Sequence, residues 1–225
     1  MRKSSTLAAR SVAVTAVAVI STLIIGVQPA MAKEDAEHAK ALAEATQAFQ
    51  NAPKELGLRV KWDVVRSFTT EELKAATAAV PTGVELVVEE QDADKKAKTA
   101  AASGCKTGGA VVIFTGGVTR ADLWRMKESV YFCWNERTVT NISTPEIEGH
   151  VYGPGVISGW RWRGPKSGPT NTAHHGQFGI IRYVSYVQGH FELCPPRVAC
   201  WSEAFPWIRL SSYRDGTVAA EKGGA

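Results

Sequence analysis

Beyond its first 32 residues this 225-residue chain has almost no net charge. The formal +4 falls to +1 once Arg2, Lys3 and Arg10 are set aside, leaving 23 basic against 22 acidic residues. Such a balance gives no electrostatic footprint for DNA or RNA, and no nucleic-acid partner is expected. C-x-x-C pairs are missing, which argues against zinc ribbons. The chain has no H-E-x-x-H, no phosphate-binding glycine loop and no acidic calcium loop. No second long apolar run follows the first, so no membrane contact is expected once the first is removed. Large aromatics are scarce early on. Of 19 Phe, Tyr and Trp residues, only Phe49, Trp62 and Phe68 precede residue 104.

What is present begins with an export signal. Arg2, Lys3 and Arg10 form a basic start, Ser11 to Val27 is free of charge, Pro29 breaks the run, and Ala30-Met31-Ala32 is a small-x-small cleavage site. A spanning anchor is the rival reading of that run, which sits near the short end of what a bilayer requires. There is no Arg-Arg pair and no cysteine at the cleavage point. Residues 1–32 are therefore expected to be a signal peptide, and the product secreted and extracellular. Four cysteines, Cys105, Cys133, Cys194 and Cys200, follow in the mature part. An even number in an exported chain implies two disulfides. The short spacing favours Cys194–Cys200 with Cys105–Cys133, and the crossed pairings stay open.

Four regions follow the leader by composition. Residues 33–90 read as a helix and strand segment. Glu34 to Gln50 has helical composition with Leu42, Ala45 and Phe49 on a thin stripe, and Leu56 to Val64 alternates as a half-buried strand. Thr69 and Glu72 have capping-box spacing ahead of a short helix that Pro81 ends, and a strand over 84–90 follows. Residues 91–103 lose every large apolar side chain and read as a linker or long loop. Residues 104–217 are strand-rich. Trp124, Met126, Val130, Phe132 and Trp134 share one face that Glu128 interrupts, and Asn135-Glu136-Arg137 is turn chemistry. Val156 to Arg163 reads as a strand, 164–176 as a loop, and 178–194 as a long strand kinked at Gly189. Asp215-Gly216 signals a tight turn. Residues 218–225 read as a flexible tail. The expected fold is α+β, with a small N-terminal helix and strand segment before an antiparallel, disulfide-stabilised β-sandwich.

Candidate functional residues fall into two sets. Trp160, Trp162 and Trp201 could offer indole faces to sugar rings, with Arg161, Arg163, Asn171 and Glu203 nearby to bond hydroxyls. If Trp160 and Trp162 instead anchor the core, that platform disappears. His174, His175, His190 and Glu192, with Glu148 and His150, are the weaker catalytic candidates for a metal or acid–base site. Adjacent histidines in a polar loop are more often simply solvated. No spacing signature supports a metal, and no metal or cofactor is expected. Gly155-Val156-Ile157-Ser158-Gly159 places its serine one position late for a nucleophile elbow. Glu89-Glu90 and Glu146/Glu148 read as solvent-facing acids rather than a glycosidase pair.

The order Phe132-Cys133-Trp134-Asn135, Gly159-Trp160-Arg161-Trp162, Gly189-His190-Phe191-Glu192-Leu193-Cys194, Cys200, Pro206-Trp207-Ile208 and Asp215-Gly216 resembles uncharacterised secreted proteins of high-GC Gram-positive (actinobacterial) bacteria. The resemblance covers roughly residues 120–217. It implies an extracellular β-rich module and assigns no activity or functional residue. The expected function is a non-catalytic extracellular binding module for cell-envelope or external polysaccharide. Two alternatives stand beside it: a secreted hydrolase using His174, His175 and His190, and an inhibitor- or toxin-like module binding another extracellular protein through the Cys194–Cys200 loop, with Pro195 to Ala199 and Arg197 as the contact.

Overall fold

The computed structural model describes residues 28–92, 103–117, 120–195 and 199–225. Most of the expected signal peptide, most of the 91–103 stretch and Arg197 in the disulfide loop lie outside the described residues. The fold is α+β, built from two antiparallel sheets packed face to face with helices against one end. No described helix is long and apolar enough to cross a membrane.

Helix α1 (Gln28–Gln50) starts ahead of the expected Glu34. Its buried stripe is Ala41, Ala45 and Phe49, four residues apart, so the alanines let the helix approach its neighbours closely. The strand expected over 56–64 is cut short. Only β1 (Leu58–Val60) is extended, and Trp62–Val65 winds into the short helix α2. Winding this turn lets Trp62 lie against Phe49 at 5.5 Å between ring centroids, beside the buried Trp201. Tertiary packing of aromatics overrides the local alternation here. Helix α3 (Thr70–Ala79) has the expected capping box: Glu72 N–H donates to Thr69 Oγ1, and Thr69 N–H donates to Glu72 Oε2.

One sheet runs β2 (Pro81–Asp92), β3 (Gly104–Gly116), β4 (Ala121–Trp134), with β5 (Val139–Thr140) and β6 (Glu146–Val151) both paired to β4. β2 and β3 pair from Pro81 with Gly116 to Asp92 with Lys106, so the stretch expected as a linker or long loop begins inside β2, at Gln91 and Asp92, and lies between two paired strands of one sheet. After α4 (Gly153–Ser158) come β7 (Trp160–Pro165), β8 (Thr170–Gly176), β9 (Gly179–Leu193), β10 (Ser202–Ala204), β11 (Pro206–Tyr213) and β12 (Val218–Gly224). In the second sheet β9 is the shared strand. Its first part pairs with β8 and β11, its last part with β7 and β10, and β1 extends the sheet beyond β10.

Three expectations are corrected by this sheet. Residues 170–176 are a strand rather than a loop, because polar side chains can occupy an edge strand that nothing covers. The strand expected from Val156 starts at Trp160, after a helical turn. Residues 218–224 are not a flexible tail: they pair with all of β11 from Pro206 to Ser212, and Lys222 Nζ donates to Val84 O on the other sheet at 3.1 Å.

The core lies between the sheets. Phe114, Trp124, Met126, Val130 and Phe132 meet Val187, Phe191, Ile208 and Leu210, all nearly inaccessible. Trp124 stacks between Phe114 at 4.0 Å and Phe191 at 3.9 Å. Disulfides join Cys105 to Cys133 across β3 and β4, and Cys194 to Cys200 between the end of β9 and the start of β10. The locally favoured pairing is the one formed, and two disulfides fit an oxidising environment.

Candidate functional site

The tryptophan platform is not available on the surface. Trp160 is 2% exposed and its indole N–H donates to Ala79 O at 2.9 Å, tying the sandwich to the end of α3. Trp201 is fully buried beneath Phe49 and Phe68. Trp162 is half-buried between the sheets, 4.7 Å from Phe191, in space left by Gly149 and Gly189, where a Cβ would strike the indole. Their even positions on β7 point inward, so Arg161 and Arg163 point out to solvent. Burial of large apolar area wins over display for all three.

The histidine candidates are also separated. His174 pairs with Arg182 at the start of β9, while His190 lies eight residues further along the same strand. At the rise of an extended chain that is about 25 Å. Glu148 and His150 project from β6 on the outer face of the other sheet, where His150 packs on Tyr152 at 4.8 Å. No acid–base site spanning His174, His175 and His190 can form. Ser158 ends α4 with its hydroxyl donating to Pro154 O. The adjacent acids are held in ion pairs: Glu89 holds Lys127 at 2.7 Å, and Glu90 holds the buried Lys106 at 2.9 Å.

Three turns meet at one end of the sandwich and leave an open cleft of about 550 Å³. Its floor is the cross-strand row His174, Arg182 and Tyr213 on the outer face of β8, β9 and β11. Phe178, in the turn between β8 and β9, forms one rim. Arg137, in the turn after β4, and Arg214 with Asp215, in the turn after β11, complete the wall. Each turn follows from its sequence. Asn135 Oδ1 accepts from the backbone N–H groups of Arg137 and Thr138, closing the first. Gly216 takes φ +83° in the last, which glycine adopts without strain. Glu136 N–H donates to Arg214 O and Arg214 N–H to Ile181 O, so the three turns brace one another.

The cleft is basic for a structural reason. Asp215 is the one carboxylate in its wall, and it is turned back into its own loop, accepting from Thr217 N–H at 2.9 Å and Thr217 Oγ1 at 2.7 Å. Those bonds hold its carboxyl below the ordinary range, the backbone N–H contributing most. No ion pair to Arg137, Arg182 or Arg214 forms among the described residues. Arg182 donates to Ser211 Oγ at 2.9 Å and lies over the Tyr213 ring, and Arg137 lies 5.7 Å from the centre of the Phe178 ring. Phe178 is 64% exposed, the most accessible aromatic among the described residues. Of the sequence candidates only His174 is here. Arg137 carried only turn chemistry, and Phe178 was expected to open the long strand 178–194 but lies in the turn before β9; neither was a site candidate, since the site exists only where separate hairpin ends converge.

Arg161, Arg163, His190, Glu192 and Glu203 collect instead on the outer face near the opposite end of β9. Arg163 Nε donates to Glu192 Oε2, and Lys61 approaches Glu203 at 3.8 Å. Asn171, on the exposed edge strand β8, belongs to neither group. No protein-family model matches the chain, and no curated protein or solved structure is detectably similar to it.

Proposed function

We propose that the protein is a secreted, non-catalytic binding module that holds an anionic polysaccharide of the cell envelope or its surroundings in the turn-lined cleft. The observation that carries this reading is the set of three arginines, without a carboxylate partner among the described residues, beside an exposed Phe178. Guanidinium groups bind carboxylate or phosphate in a bidentate fork, and an exposed aromatic face takes the apolar side of a sugar ring. An open cleft without a nucleophile and base in contact suits binding rather than turnover. The two disulfides and the leader favour an extracellular setting.

The test is retention of the oxidised protein on polyuronate and teichoic-acid supports, compared with neutral cellulose and xylan. Retention on an acidic polymer is expected, with release by salt as exposed charges are screened. Arg137→Ala and Arg214→Ala, both at exposed turn positions, should each weaken retention several-fold with an unchanged Tm. Equal retention on neutral and acidic polymers, or wild-type retention in both variants, would refute the assignment.

A further inference from the structure

The outer face at the far end of β9 brings together groups that the cleft does not use. Glu192 of β9 and Glu203 of β10 are directly paired in register, so two carboxylates stand side by side on one face. Like charges directly opposite destabilise a sheet unless a cation lies between or beside them. His190 precedes Glu192 by two residues and shares its face. Its Nε2 is closed to solvent and has no hydrogen-bond partner among the described residues, and it lies 3.7 Å from Glu192 Oε1. One donor atom from each of the three lies within 4.8 Å of the others. The imidazole is stacked on Phe205 at 4.9 Å and 22°, which fixes its plane.

Arg161 stands opposite Glu192 and Arg59 opposite Glu203 in the same cross-strand row, so arginines flank the carboxylate pair on both sides; neither forms an ion pair with it among the described residues. Arg163 engages Glu192 Oε2 and leaves Oε1, the oxygen facing His190. Lys61 stands 3.8 Å from Glu203 Oε1, beyond hydrogen-bond length, and its Nζ donates instead to Cys200 O at 3.3 Å. One imidazole nitrogen and two carboxylates thus stand within 4.8 Å of one another.

We propose that His190, Glu192 and Glu203 bind one divalent transition-metal ion of the zinc class. An imidazole nitrogen with two carboxylate oxygens is a borderline donor set, which suits zinc better than calcium, whose ligands are all oxygen. Metal–ligand lengths near 2 Å require the three donors to close by about 1 Å or slightly more, within reach of side-chain rotation. Arg163 then acts as the outer partner that orients Glu192, a role that conserves ligand geometry in metal sites. Water completes the coordination on the solvent side. The site lies about 25 Å from the cleft along β9, so neither proposal depends on the other.

Equilibrium dialysis of the disulfide-intact protein against zinc chloride tests this. One equivalent of zinc is expected, not displaced by excess calcium. His190→Gln and Glu203→Gln should each weaken uptake at least about tenfold, whereas His174→Gln with His175→Gln should leave it unchanged. Because a variant could fold poorly, the wild-type imidazole resonances provide a second readout: zinc should shift those of His190 and leave those of His174 and His175 in place. No uptake by the wild type overturns the proposal, as does uptake that survives His190→Gln or a shift confined to His174 and His175.

Discussion

Glu128 is fully buried on β4 between the two sheets, with Ala110 and Ile147 as cross-strand neighbours and Ser185 facing it from β9. Among the described residues neither of its oxygens has a hydrogen-bond partner of good geometry. Burial penalises the charged form and raises its carboxyl from the ordinary 4.5 to about 7, with Ser185 offsetting part of the penalty. The folded state therefore keeps a proton that the unfolded state releases. Below pH 4.5 both states are protonated and nothing is lost. Between pH 4.5 and about 7 the unfolded chain gains at 1.36 kcal/mol per pH unit, and above 7 the folded carboxyl ionises too and the loss levels off. Over that window the fold loses about 3 kcal/mol through this one group. In Glu128→Gln the amide has nearly the same shape and does not titrate. Its own burial cost is independent of pH, so the informative quantity is the wild-type minus variant difference in urea unfolding energy across pH 4.5 to 8. That difference should move against the wild type by about 3 kcal/mol, or roughly 6–12 °C in Tm for a chain of this size. A difference that stays flat across the window would show that water reaches the carboxyl between the sheets and that the burial argument fails.

The two disulfides should contribute unequally. In the chain-entropy account, Cys105–Cys133 closes 28 residues and Cys194–Cys200 only 6, so paired Cys→Ala replacement should cost about 4 kcal/mol for the first and about 2 kcal/mol for the second. Urea melts that show the short loop to matter more would contradict this. Trp160→Ala should lower stability by about 3–5 kcal/mol through cavity formation and the lost bond to Ala79; a folded, equally stable Trp160→Ala protein that merely lost sugar binding would return the indole to the surface. Gly149→Ala drives a Cβ into the Trp162 ring, and thermal melts should show destabilisation of about 1–3 kcal/mol.

The fold was largely legible because its signals are local. Strand alternation in β4 marks one buried face down to the anomaly at Glu128, the Thr69 capping box starts α3, and Asp215-Gly216 turns β11 into β12. Locality fails at Trp62, where an alternating run winds into a helix to reach Phe49, and at 218–224, whose Ala, Glu, Lys and Gly side chains carry little strand preference and are held by pairing to β11. Edge strand β8 escaped notice for the same reason, since nothing packs on it to select apolar residues.

By itself the sequence determined composition, an even cysteine count, the α+β class and the periodicity of the core strands, because each depends on composition or on residues close along the chain; the pairing of Cys105 with Cys133, 28 residues apart, was decided by the β3–β4 register. It could not determine which face of a strand is wet. Trp160 and Arg161 are neighbours in sequence, yet one is sealed against Ala79 and the other is in solvent, and only the packing of the second sheet decides which. Nor could it assemble the cleft, whose arginines come from residues 137, 182 and 214, or separate His174 from His190 by the length of β9. Sites of this kind are made by distant turns and strands brought together, and only the tertiary structure sets those distances.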